Sequence, residues 1–209
     1  MAKNSGLLTT VADAFSEVAQ TVNSPRPYVE IGRLVRACRL LSPLLSSLGV
    51  FKFAEKEFSA KVDDLAEAAK SVHTLESLLD SDIRKNCEKD SNSHSRNLVR
   101  VKRSVDMLKI MFEQILARGY GHGNSIVGPV STAYKQVFAP YHGWLIRTGV
   151  SAAMITLPTK AQLLRNLNED EATANVQMQK YVTASASVLQ YIDKLFHSRR
   201  SGNELLGMV

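Results

Sequence analysis

Ser95–Leu116, SRNLVRVKRSVDMLKIMFEQIL, is the stretch on which the reading of this chain turns. Leu98, Val101, Val105, Leu108, Phe112 and Ile115 recur at alternating spacings of three and four, which draws one apolar stripe along a helix. At about 100° per residue, Arg96, Arg100 and Arg103 centre roughly 140° from that stripe. Met107, Ile110 and Met111 continue the second face. Two readings fit. A solvated basic surface explains the arginines but leaves Met107, Ile110 and Met111 in water. A helix held between two layers explains both, with a pocket along the second face that is cationic at its mouth and apolar beyond. Such a pocket suits an anionic amphiphile.

Helical periodicity continues on both sides of this segment, and β alternation is absent. Towards the N-terminus, helices are predicted over Gly6–Val22, Val29–Leu41 with a break or bend at Pro43, a segment from Gly49 to Val72, and Leu75–Cys87. The prolines of NSPRP, 23–27, stop the first of these. Towards the C-terminus, Val130–Val137, Trp144–Leu157, Thr159–Asn166 and Asp170–Phe196 carry the same pattern. The sum is one all-α domain over residues 1–209, of about eight helices. RGYGHGNSIVGP, Arg118–Pro129, is a glycine-rich loop; it follows a helix rather than a strand and lacks the spacing of a phosphate-binding loop.

A length of 209 residues with 44% hydrophobic content supports a sizeable core. Net charge is +6 and the pI about 9.4, which favours anionic partners without choosing among nucleic acid, phosphorylated ligand and acidic membrane. Cys38 and Cys87 are far apart and outside any CxxC pattern, so neither a disulfide framework nor a thiolate metal site is expected. There is no secretory h-region, no apolar run long enough to span a bilayer and no lipidation motif. The expectation is a soluble cytoplasmic protein with no cofactor or metal.

Two further groups hold chemistry. Glu57 and Lys61 share a face at i,i+4, a spacing that serves an exposed ion pair as well as a binding site. FAPYHGW, Phe138–Trp144, sets His142 at a helix start, two residues before the sole tryptophan; each residue type is as much at home in a core as in a site.

Taken in order, VNSPRP, ACRLLSPLLSSLG, KFAEKEFSAKVDDL, SHSRNLVRVKRSVDMLK, FEQI, YKQVFAPYHGW, LPTKAQLL and NEDEA resemble the glycolipid transfer protein superfamily, in particular its ceramide-1-phosphate branch. The resemblance spans nearly the whole chain. It implies a two-layer all-helical sandwich enclosing an apolar lipid-chain pocket, and non-enzymatic transfer of sphingolipids between membranes. By motif position it assigns Lys61, Arg96 and Arg100 to the lipid phosphate, with Arg103 one turn on as support. His142 would donate to the ceramide amide carbonyl. Arg100 replaces the sugar-stacking tryptophan of the glycolipid-selective branch. Glu57 stands where the family has an aspartate that accepts from the sphingosine amide and hydroxyl; it keeps the charge and extends the carboxylate by one methylene. Trp144 is expected to dock at the membrane interface.

Charge counting agrees with a phosphate. Lys61, Arg96 and Arg100 less Glu57 leave two positive charges, and a phosphomonoester brings about −1.5 to −2. A nucleic-acid binder would interleave aromatics with RNLVRVKR, which this chain does not. GxSxG, HExxH and Walker patterns are absent, so no enzyme class is indicated. A lipid-dependent sensor or adaptor acting on protein partners uses the same residues; the family includes a plant member tied to restraint of cell death.

Overall fold

The computed structural model describes residues 6–48, 52–117 and 124–208, so Phe51 and the first half of the glycine-rich loop lie outside the described residues. Eleven α-helices run through them: α1 (Leu7–Val22), α2 (Ile31–Arg39), α3 (Leu41–Ser47), α4 (Lys52–Ala68), α5 (Leu75–Arg84), α6 (His94–Ala117), α7 (Val127–Val137), α8 (Trp144–Ala153), α9 (Lys160–Asn166), α10 (Glu171–His197) and α11 (Gly202–Gly207). Single 3-10 turns cover Ala139–Tyr141 and Met154–Thr156. Among the described residues there is no strand, only the isolated bridges Glu30–Thr74 and Ser125–Thr159.

The helix count thus exceeds the expected eight, for local reasons. Pro43 does not break the second helix where it stands. The break falls at Leu40, and α3 begins with Pro43 in its first turn, where a missing N–H is harmless. The same tolerance lets α7 start at Val127, ahead of the predicted Val130, with Pro129 in its first turn. The Trp144–Leu157 segment ends as an α-helix at Ala153 and tightens into the 3-10 turn. α11 was not predicted at all.

Helices α1, α2, α4, α6 and α10 each pack against the next and close on themselves, the frame of a two-layer helical sandwich. α6 is its hub, bounded also by α5, α7 and α11. Its whole apolar stripe, Leu98 to Ile115, is buried. So are Arg103 and Met111 on the second face, while Met107 and Ile110 pack partly buried against the core. The second face is therefore covered, as a helix between layers requires, and the solvated-surface reading fails for it.

Two features hold α6 in place. Tyr181 of α10 is fully buried, meets Phe15 and Phe112 edge-on at ring distances of 4.9 and 5.4 Å, and donates its hydroxyl to the Val105 carbonyl at 3.1 Å. At the N-terminus of α6, the Asp82 carboxylate, 2% exposed, accepts from the Ser95 backbone N–H and hydroxyl, both at 2.8 Å. A buried carboxylate at the positive end of a helix is well placed electrostatically. It pins the turn before α6, from which the arginines emerge.

Candidate functional site

α4 and α6 pass each other antiparallel. Asp64 of α4 meets His94 of α6 at 2.9 Å, and the charge of Glu57, two turns back on α4, is felt at Arg100, six residues on along α6. Lys61 lies one turn from Asp64 on the same helix. At 1.5 Å per residue this register sets it opposite the Arg96–Asn97 level of α6. Lys61 Nζ and Glu57 Oε2 are 3.8 Å apart, an ion pair too long for a hydrogen bond, with the lysine side chain 23% and the glutamate 54% exposed. Glu57 thus belongs electrostatically to the arginine neighbourhood, and Lys61 is its partner one turn along the same helix.

The arginines are anchored by backbone carbonyls. Arg96 Nη1 donates to the Lys89 carbonyl at 3.3 Å, and Arg100 Nη1 donates to the Ser91 carbonyl at 2.7 Å and to Asn97 Oδ1 at 3.0 Å. Both carbonyls belong to the turn between α5 and α6. Burial, reinforced by Arg96 and then Arg103, pushes the Arg100 guanidinium below its ordinary value, and Glu57 opposes the shift. The cluster is electrostatically crowded, so an arriving anion relieves repulsion as well as making contacts.

Arg103 has a different setting. It is 7% exposed, donates from Nη2 to the Leu206 carbonyl of α11 at 2.8 Å, and lies over the Tyr141 ring with Cζ 3.6 Å from the centroid. Beside it opens a cavity of about 300 Å³, lined by Lys102, Arg103, Asp106, Ile110, Tyr141 and Asp193 among others. Lys102 pairs with Asp193 at 2.8 Å, and burial raises the Asp106 carboxyl above its ordinary value. This space carries both signs of charge.

His142 follows the 3-10 turn. Its ring stacks on Phe138, with centroids 5.7 Å apart and planes at 20°, and its Nδ1 lies 3.0 Å from the Tyr134 hydroxyl. Burial, then the charge of Arg103, lowers the imidazole below its ordinary value and keeps it neutral near pH 7. Arg103 and Tyr141 thereby link His142 to α6. Trp144, at the start of α8, is 73% exposed, beside Leu145 at 75% and Ile146 at 52%. No residue of α8 is buried, and Ile155 beyond it is 82% exposed.

Sequence reading missed several partners. Tyr134 and Phe138, which hold His142, and Tyr141, which carries Arg103, were legible in YKQVFAPYHGW as aromatics spaced about the histidine. The carbonyls of Lys89, Ser91 and Leu206 leave no mark in any side-chain pattern. Among the described residues no helix is long and apolar enough to cross a membrane.

Comparison with known proteins places this geometry. The family model for glycolipid transfer protein matches residues 29–169, which include every site residue named above from Glu57 to Trp144. The chain is 48% identical over 196 residues to Accelerated cell death 11 of Arabidopsis thaliana, covering 93% of this chain and 94% of that protein. It superposes with a TM-score of 0.90, at 47% identity and over 95% of this chain and 98% of the other, on an aspartate-to-asparagine mutant of the same Arabidopsis protein complexed with C12 ceramide-1-phosphate. Mouse ceramide-1-phosphate transfer protein shares the fold, with a TM-score of 0.83 at 21% identity, over 97% of this chain and 98% of that one. With a covered arginine helix, an anchored histidine and matches of this extent, the chain belongs to the glycolipid transfer protein family.

Proposed function

We propose that this chain, acting as a single domain over residues 1–209, carries ceramide-1-phosphate and close phosphosphingolipid relatives between membranes and performs no chemical step on them. Supporting this reading is the crowding of Arg96 and Arg100, opposite Lys61, which an anion of two charges would relieve. The Arabidopsis relative crystallised with ceramide-1-phosphate has the same fold at 47% identity. A neutral sugar would leave these cations uncompensated at a partly desolvated site. Arginine forks suit bidentate phosphate contacts.

In this reading Lys61, Arg96 and Arg100 hold the phosphate, and Arg103 stands behind them and adds positive potential. His142, neutral and accepting at Nδ1 from the Tyr134 hydroxyl, carries its proton on Nε2 and donates it to the amide carbonyl. Glu57 accepts from the sphingosine amide and hydroxyl. The chains enter the apolar interior between the helical layers. Moving on the order of thirty methylenes through water would cost ~24 kcal/mol at ~0.8 each. A protein interior removes most of that barrier and supplies no energy, so transfer follows the lipid's gradient. Trp144, Leu145 and Ile146 touch the bilayer interface, basic residues attract anionic headgroups, and the chain works in the cytoplasm with transient membrane contact.

The test is vesicle-to-vesicle transfer of fluorescent ceramide-1-phosphate beside glucosylceramide, repeated with Arg96→Ala. Selective transfer of the phosphorylated lipid, lost in the variant, supports the carrier. Absence of transfer by folded protein rejects it. A second reading is favoured by the name of the Arabidopsis relative, which refers to cell death: the same pocket serves a lipid-dependent sensor or adaptor acting through protein partners. Partner binding that depends on bound lipid, in a chain that does not transfer it, would select this reading.

A further inference from the structure

α11 lies outside residues 29–169, yet it reaches the arginine cluster from two sides. On one side its Leu206 carbonyl takes the Arg103 guanidinium at 2.8 Å, and that guanidinium lies over Tyr141, the residue before His142. On the other, Glu204 pairs with Lys89 Nζ at 2.6 Å, and Ser201, just ahead of α11, donates to Glu88 Oε1 at 2.9 Å. Glu88 and Lys89 begin the turn whose carbonyls hold the two outer arginines, Lys89 that of Arg96 and Ser91 that of Arg100. The helix is seated closely: a Cβ on Gly202 would run into the Phe196 carbonyl at the end of α10.

A terminal cap that only adds stability would not need this arrangement. The Lys89–Glu204 pair is exposed at both ends, and such pairs contribute little to folding. Arg103 is a buried charge whose donors are directed by a carbonyl on one side and a ring on the other, the geometry of a strut. Its two contacts join the half of the site that holds Arg96 and Arg100 to the half that holds His142.

We propose that α11, acting through Arg103 and the 88–91 turn, is a positioning element that fixes the spacing between Arg96, Arg100 and His142, and so sets how strongly an amide-bearing phospholipid is preferred over an ester phosphomonoester. The proposal rests on the phosphate-binding reading above. Arg103, Ser201 and Glu204 act through other residues; none needs to touch the lipid. The preference follows from geometry. Phosphatidic acid presents the same phosphate but no amide N–H, and its ester carbonyl accepts hydrogen bonds less well. Only a site with phosphate and amide recognition held in register separates the two lipids.

The experiment measures transfer of fluorescent ceramide-1-phosphate and fluorescent phosphatidic acid by the full chain, by Arg103→Lys and by the double variant Ser201→Ala/Glu204→Gln. Arg103→Lys keeps the charge and removes the planar fork; the double variant leaves every proposed lipid contact intact. Each is expected to lower the ceramide-1-phosphate to phosphatidic acid ratio about fivefold, chiefly by slowing the former. A ratio unchanged in both variants, or both lipids slowed in parallel, overturns the proposal and leaves α11 a structural cap. Transfer of neither lipid by the unaltered chain overturns the carrier reading, and this proposal with it.

Discussion

The Tyr134 hydroxyl and His142 Nδ1 are 3.0 Å apart, and Tyr134 itself is buried in α7. This contact engages Nδ1 and leaves Nε2 as the nitrogen available to a ligand, so Tyr134 orients the ring without itself reaching the proposed lipid. Tyr134→Phe keeps the ring and its packing and frees Nδ1. Ceramide-1-phosphate transfer should fall by about fivefold, for a lost hydrogen bond of ~1 kcal/mol, with little change in fold. Transfer kinetics and circular dichroism of the variant check both parts.

Arg100 is crowded by burial and by Arg96 and Arg103. Relief of that crowding should separate stability from function. Arg100→Gln is expected to hold or raise the unfolding temperature of the lipid-free chain. It should weaken ceramide-1-phosphate binding by about 2 kcal/mol, roughly thirtyfold, for a charge-assisted contact. A thermal melt and a binding titration on one preparation read the two effects.

His142 has a folded value lowered from 6.5, first by burial and then by Arg103. The unfolded chain therefore takes up the proton first as pH falls. Stability from this group is complete above 6.5 and is lost progressively as pH drops below it, towards the folded value. His142→Gln should flatten that part of the stability curve, while above it the two curves run parallel, offset by the lost ring contacts with Phe138 and Tyr134. Denaturant unfolding at a series of pH values shows the difference between the two chains.

Trp144, Leu145 and Ile146 are exposed, and no residue of α8 is buried. Trp144→Ala should leave the unfolding temperature unchanged and weaken partition onto anionic vesicles about tenfold, or ~1.4 kcal/mol. Sedimentation with vesicles measures the second, and wild-type partition by the variant would remove α8 from the docking surface.

Gly202 has the Phe196 carbonyl where a Cβ would go. Because the obstacle is backbone, Gly202→Ala must shift α11 and should destabilise the chain by about 1–3 kcal/mol. Amide exchange should rise first in α11, with α10 and α6 keeping their protection.

How much of this was legible without coordinates differs from residue to residue. The stripe from Leu98 to Ile115 is regular over six positions, and each of them is buried. Long amphipathic helices announce themselves because burial of one face imposes their period. α11 has six residues, fewer than two turns, and no period can emerge from so few. Pro43 and Pro129 misled the boundaries at Leu40 and Val127 because a proline is harmless in a first turn, and only the surrounding contacts decide whether a turn begins there. Glu57, Lys61, Arg96, Arg100 and His142 were named from residue type and order, with Arg103 and Trp144 beside them.

By itself, the sequence determined the all-helical class, the helix that bears the arginines, and the family through its ordered motifs. These depend on side-chain periodicity and residue identity, which are local properties of a chain. Tertiary structure alone decided that Arg103 turns to Tyr141 and the Leu206 carbonyl, that Arg96 and Arg100 lean on the carbonyls of Lys89 and Ser91, and that Tyr134 stands behind His142. Every residue has a carbonyl, so nothing in the order of side chains tells which of them a guanidinium 103 positions away will meet.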